Sequence, residues 1–347
     1  MSGAAVFVVQ PRRGWVYDRR GGIAFRFARK DSANMPMNRQ RTWNRRRLCA
    51  ALLVVAVLAA AACDRKPESR GPQFDATPRG GDAPSYRFAV HPLHNPTKLV
   101  QAYQPLVDYL NAGLQPARLV LEASRDYADF EAKYQARKLE FILPNPWQTL
   151  QAMKVGYGVI AMAGDPEDFL GLFIVRRDGG IGQPADLKGK AVSYPSPTAL
   201  AACIMPQYYL HTHGVDVNAD IENRYVGSQE SSIMNVWLGK TAAGATWPPP
   251  WRAFLKEHPD KAAELVVAWE TGSLVNNAVM ARDDVPPEVR DKVRALLLAL
   301  GASPEGIAIL AGMETAGFYA AGDADYDTVR SYVARFEREV RPVVARP

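Results

Sequence analysis

The chain has 347 residues, which at about 100 to 200 residues per domain predicts two domains or two lobes of one. Hydrophobic residues make up 48% and charged residues 22%, ordinary globular usage that excludes a disordered, collagenous or polytopic membrane chain. The net charge of +6 misleads, because residues 1–62 hold 12 Lys/Arg against 2 Asp/Glu and the remainder holds 30 against 34. A nucleic-acid binder carries its positive charge in the folded domain, so that class is excluded.

The N-terminal basic charge belongs to an export layout. Arg39, Arg41, Arg45, Arg46 and Arg47 precede the uncharged run LCAALLVVAVLAAAA, residues 48–62, which ends in small residues directly before Cys63. A membrane span needs about 20 apolar residues, so this shorter run reads as a signal peptide over residues 37–62. Met37 opens MNRQRTWNRRR and is the expected start, with residues 1–36 upstream of it. The alanines before Cys63 resemble a lipobox, which implies that Cys63 carries lipid and anchors the exported protein in the membrane. Residues 63–85 are rich in Pro, Gly and charge and read as a lipidated tether. Cys49 leaves with the signal, so Cys203 remains as the single thiol of the body and no internal disulfide is available.

From Tyr86 the chain alternates YRFAVHPL, LVQAYQPLVDYLNAGL, ARLVLEAS, YADFEAKYQARKLE and FILPNP, a strand–helix–strand–helix–strand order that predicts an α/β unit. Leu99, Tyr103, Leu106, Val107 and Leu110 recur at spacings of three and four and predict one buried helix face. A second α/β run follows FLGLFIVRRDGG. It consists of AVSYPS, TALAACIMPQYYLHTHG, ENRYVG, SQESSIMNVWLGK and AAGATW. The chain then returns with SLVNNAVMA as strand, PPEVRDKVRALLLAL as amphipathic helix, and a closing helix that places Val329, Tyr332, Val333 and Phe336 on one side. The expected fold class is therefore α/β with two lobes, residues 86–174 with 275–347 forming lobe 1 and 175–274 forming lobe 2. Crossings are expected near 172–178 and 270–278, with a ligand cleft between the lobes.

No Walker loop, GxGxxG turn, HExxH or GxSxG occurs, and no nucleophile, base and orienter stand at recognisable spacing, so an enzyme is not expected. The candidate ligand-binding residues sit at strand ends and helix starts, where backbone N–H groups without intrahelical partners attract anions. Ser196 is expected to cap a helix beginning at Pro197, with Thr198 turned toward the cleft. A plain capped helix uses the same residues. Ser228 and Gln229 open a second helix after Gly227, with more polar residues than capping requires. In ATWPPPW, three prolines are expected to hold Trp247 and Trp251 on a stiff turn facing a cleft. Asn95 and Asn145, each flanked by proline, offer amides that both donate and accept, and Trp147 follows the second of them. His91 and His94 lack carboxylate or cysteine partners at ligand spacing, so neither a metal nor another cofactor is expected.

Together the opening strand with HPLHNP, then FIVRRDGGIGQPADLKGKAVSY, TALAACIMPQYYLHTHGVDV, YVGSQESSIMNVWLGKTAAGAT and RDDVPPEVRDKV resemble the phosphate/phosphite/phosphonate solute-binding proteins of bacterial ABC importers. The resemblance covers about residues 86–340. It implies the type II periplasmic-binding-protein fold and a cleft that closes on a small ligand whose oxyanion is held at the second lobe's helix start. Where that family has a Ser-Thr-Ser-Gly type motif, this chain has Ser196, Pro197, Thr198, Ala199 and Leu200. Gln229 stands in place of the family's histidine, and Ala242 or Ala243 in place of an acidic residue. The implied pocket is less polar and, with Trp147, Tyr194, Trp247 and Trp251, suits a ligand bearing an apolar part. The implied function is a periplasmic, membrane-anchored substrate-binding lipoprotein that delivers a small anionic solute, phosphonate-like or otherwise oxyanion-bearing, to an ABC permease. The alternative is a sensing subunit that reports the ligand to a membrane sensor kinase.

Overall fold

Alternate residues of the opening strand feed two different apolar layers, and this is why the strand is buried on both faces. In the computed structural model, which describes residues 83–344, β1 (Ser85–Val90) sends Phe88 and Val90 into one layer and Ala89 into the other. The expectations for residues 1–36 and 37–62, and for Cys63 and most of the tether, fall outside the described residues. After β1 come α1 (Pro96–Leu114), β2 (Arg118–Glu122), α2 (Tyr127–Gln135), β3 (Phe141–Leu143), α3 (Pro146–Met153) and β4 (Tyr157–Ala163). Strand β1 pairs in parallel with β2, Ser85 opposite Arg118, and with β3, Phe88 opposite Phe141. Later in the chain, β10 (Asn277–Arg282) inserts antiparallel between β3 and β4, and β11 (Phe318–Tyr319) closes the edge of β4. The sheet order is β11-β4-β10-β3-β1-β2.

Helix α1 covers one face with Leu99, Tyr103, Leu106, Val107 and Leu110, the residues that the spacing places together, and α8 (Pro287–Ala299) joins it through Val293 and Leu297. The other face takes Phe130 and Tyr134 of α2, and Val329, Val333 and Phe336 of α10 (Asp327–Glu339). These faces bury large side chains completely, so each layer contributes strongly to stability at about 25 cal/mol per Å² of apolar surface removed from water.

The second sheet has the order β7-β6-β8-β5-β9, from β5 (Leu172–Arg176), β6 (Ala191–Tyr194), β7 (Glu222–Tyr225), β8 (Ala243–Thr246) and β9 (Leu265–Glu270). Strand β6 runs parallel to β7 and β8, whereas β5 is antiparallel to β8 and β9. This corrects the expected first crossing near 172–178. Leu172 and Ile174 pack in one layer of the second lobe and Phe173 and Val175 in the other, so β5 belongs wholly to that lobe. The chain therefore crosses between Ala163 and Leu172, and returns between Glu270 and Asn277.

The helix after β6 also differs from expectation. Instead of starting at Pro197 it starts with a π turn, Leu200–Ile204, that continues into α4 (Met205–Thr212). Ile204 N donates to Ala199 O and Met205 N to Leu200 O, both spanning five residues. Pro206 explains the wider turn, since it has no N–H and its ring clashes with the carbonyl four residues earlier in an α-helix. Gly171 of the crossing packs on this turn, where a Cβ would lie 2.5 Å from Ala201 O.

Candidate functional site

The first lobe brings strand ends and helix starts to the junction. After β1, His91 donates its backbone N–H to Leu143 O at 3.0 Å, and its Nδ1 lies 3.0 Å from the same oxygen. A carbonyl only accepts, so Nδ1 carries the proton and Nε2 is left as an acceptor. Burial pushes the His91 pKa down to about 4, and the ring is neutral at pH 7. Asn145 caps α3 reciprocally with Gln148: Asn145 Oδ1 accepts from Gln148 N, and Gln148 Oε1 accepts from Asn145 N, each at 3.1 Å. The remaining amide group of Asn145 donates to Thr198 O in the second lobe at 3.1 Å. Tyr127 begins α2, and Glu131 lies one turn along it. Glu131 Oε1 accepts from Gln148 Nε2 at 2.9 Å and from Thr198 Oγ1 at 2.6 Å. Burial raises the Glu131 pKa, opposed by those two hydrogen bonds. Asn277 opens β10, and its buried Oδ1 has no hydrogen-bond partner among the described residues.

From the second lobe, the turn after β6 presents Ser196 and Thr198, whose hydroxyls lie 2.9 Å apart. Helix α5 (Gln229–Trp237) begins at a Ser228 cap, which accepts from Ser231 N at 3.1 Å. Gln229, the first residue of that helix, accepts from Thr246 Oγ1 at 3.0 Å and donates to Tyr127 OH across the junction at 3.3 Å. Trp247 packs on Phe169 of the first crossing, ring centroids 5.6 Å apart. These elements enclose a cavity of about 10 Å³, room for about one water molecule, lined by His91, Tyr127, Asn145, Gln229, Trp247 and Asn277 with residues 199–202 and Phe169.

Among the residues singled out by sequence, Asn145, Gln229 and Trp247 line this cavity, and Thr198, with Ser196 bonded to it, stands beside it. The others lie elsewhere. Asn95 is an exposed cap of α1, accepting from Lys98 N at 3.0 Å. Trp147 is buried in the apolar cluster that also takes in Phe169, Leu200, Ala201 and Trp247, but it does not line the cavity. Tyr194 is fully buried in the second lobe's core beside Tyr225. Ser228 is occupied as a cap. Trp251 stacks on Phe254 in a separate cluster of the second lobe. The expected stiff turn is in fact the start of α6 (Pro248–Glu257): Trp247 is its cap and the three prolines fill its first turn, where their missing N–H groups have no intrahelical partner in any case. One helical turn then separates Trp251 from Trp247. Sequence reasoning missed Tyr127, Glu131, Phe169 and Asn277, and weighed His91 only as a metal ligand. The capped start of α2 after Asp126 is the local signal that would have pointed to Tyr127.

Among the described residues, the cavity lining contains no Lys or Arg. Charge gathers instead at a groove of about 920 Å³, where Arg252 bonds Asp168 in a bidentate pair at 2.7 and 2.8 Å and Lys256 pairs with Glu314. That groove carries four acidic side chains, Asp165, Glu167, Asp168 and Glu314, and both of its basic groups are already paired, so it is the poorer place for an anion. The small cavity is lined by neutral polar side chains from both lobes, beside the start of the turn at residues 200–204.

Residues 88–326 match the family described as ABC transporter, phosphonate, periplasmic substrate-binding protein. The chain is 25% identical over 310 residues, 82% of its length and 94% of the relative's, to the phosphate-import protein PhnD of Mycolicibacterium smegmatis. Its fold is similar to that of a binding protein component of an ABC phosphonate transporter from Pseudomonas aeruginosa, with TM-score 0.68 and 18% identity over 74% of this chain and 88% of that one. It is equally similar to PhnD1 of Prochlorococcus marinus, solved in complex with methylphosphonate, with TM-score 0.67 and 18% identity over 73% of this chain and 98% of that one. The two α/β lobes joined by two crossings are the type II periplasmic-binding-protein fold, and the chain belongs to the phosphonate-type periplasmic substrate-binding proteins of ABC transporters.

Proposed function

We propose that this protein captures a small oxyanion-bearing solute between its lobes and presents it to an ABC permease, held at the membrane by lipid on Cys63. The observation that carries the reading is the convergence of neutral polar groups from both lobes, Tyr127 and Asn145 on one side and Thr198 and Gln229 on the other, around one buried cavity. Asn277 Oδ1, buried there without a partner among the described residues, offers an acceptor to a protonated oxygen or an amine of the solute. A solute reaching both sides at once favours the closed arrangement, because only there can it bond to both lobes. The names of the relatives, one a phosphate importer and one solved with methylphosphonate, support a phosphorus oxyanion as the first class to try.

A thermal-shift panel of phosphate, phosphite, methylphosphonate and alkanesulfonates tests this. A solute at 100 times its dissociation constant adds about 2.7 kcal/mol, a shift of several degrees. No shift with any oxyanion, against a chloride control, rejects the reading. Cys63→Ser tests the anchor: the protein should leave the membrane fraction, and unchanged attachment rejects lipidation.

A further inference from the structure

Thr198 stands next to the cavity-lining residues 199–202 on the second lobe's turn, and a protein carboxylate already holds its hydroxyl. Thr198 Oγ1 donates to Glu131 Oε1 at 2.6 Å, with Thr198 1% and Glu131 2% exposed. The bond runs from one lobe to the other. Beside it, Asn145 Nδ2 takes the Thr198 carbonyl at 3.1 Å, so the same turn residue is clamped twice by the first lobe. The neighbours of Glu131 are the Thr198 hydroxyl, the Gln148 amide and the like-charged Asp126, while Tyr127 and Tyr134 share its helix. With the bond between Glu131 and Thr198 formed, the cavity has room for about one water molecule, too little for a tetrahedral oxyanion.

We propose that Glu131 is a built-in competitor of the solute: its carboxylate occupies the Thr198 hydroxyl that a solute oxyanion takes on binding, and bridges the lobes in the solute's place. This rests on the solute-binding reading above. A solute that binds must separate Glu131 from Thr198 and must tolerate a carboxylate near its own negative charge. The site therefore discriminates against weakly bonding anions, which cannot outbid an internal carboxylate that carries no translational cost of association.

Two measurements on the full protein test it. Glu131→Gln keeps the shape and an acceptor for Thr198 but removes the charge, and binding of inorganic phosphate and methylphosphonate by calorimetry should tighten by about tenfold, since a like charge is lost from a buried site. A neutral amide also holds the Thr198 hydroxyl less tightly than a carboxylate does, so adding Thr198→Val should remove that part of the gain and leave only the part due to charge. Independently of any solute, Glu131→Ala should widen the distance distribution between spin labels placed one on each lobe, and Thr198→Val should do the same. Equal or weaker binding by the Gln variant overturns the proposal, and so does an unchanged distance distribution in both truncation variants. If neither wild type nor Glu131→Gln binds any probe, the solute-binding reading fails and the competitor fails with it, while the distance measurement still reads whether the bond between Glu131 and Thr198 bridges the lobes.

Discussion

Asn145→Ser separates two roles that one side chain performs. Asn145 caps α3 through Oδ1 and bridges the lobes through Nδ2. Serine is about as good a cap as asparagine, so α3 should lose only a few tenths of a kcal/mol. The bridge is lost outright, and the buried Thr198 carbonyl keeps no donor from the first lobe. An unpaired buried acceptor costs about 1 to 3 kcal/mol, but only in the closed arrangement, because opening returns the carbonyl to water. The cost therefore falls on the balance between closed and open forms rather than on folding, a shift of about 5- to 150-fold. If the solute binds the closed form, its dissociation constant should rise by the same factor while the melting temperature moves by less than about 2 °C. Titration calorimetry and melting curves on one preparation read both. Unchanged affinity refutes the inter-lobe reasoning, and a large melting loss with affinity intact makes the bond part of the scaffold.

Buried neutral His91 has its pKa pushed down to about 4, and His94 to about 3, from an unfolded value near 6.5, so the folded state binds fewer protons over that range. Stability from His91 is then fully present above about pH 6.5 and is lost as pH falls toward 4, by about 3 kcal/mol at most, and His91→Gln should flatten the acid limb of a stability–pH curve. Gly244→Ala should destabilise by about 1 to 3 kcal/mol or more, since its Cβ would lie 2.5 Å from Ser232 O and 2.7 Å from a Val236 methyl; a melting temperature equal to wild type contradicts this. Trp251→Ala should lower the melting temperature and leave solute affinity intact, because the ring stacks on Phe254 inside the second lobe; weakened binding with unchanged melting would place it at the solute instead.

The layered α/β order was legible in the sequence because strands buried on both faces read as short apolar runs and the helices between them carry three-and-four spacing. The expected lobe boundary between residues 174 and 175 cuts through β5 for the same reason: LFIVR looks alike whichever sheet receives it, and only its pairing with β8 and β9 decides. The site was half legible. Asn95 and Asn145 share one local chemistry, an Asn–Pro step that caps a helix, and differ only in that one cap is exposed and the other buried against a second lobe. No local pattern carries that difference. Prolines misled at residues 248–250 because a first helical turn tolerates them as well as a loop does. Glu131 was invisible because a carboxylate in the middle of a helix normally faces water, and its burial depends on Thr198, 67 residues away.

The central claim, that a small oxyanion is held between the lobes by neutral donors, is tested most directly by a crystal structure grown with whichever oxyanion shifts the melting temperature most. The account predicts one ion bounded by Tyr127, Asn145, Thr198, Gln229 and Asn277, with the Thr198 hydroxyl turned from Glu131 to the ion. An ion seated instead in the groove of Arg252 and Lys256, with the bond between Thr198 and Glu131 intact, would contradict it.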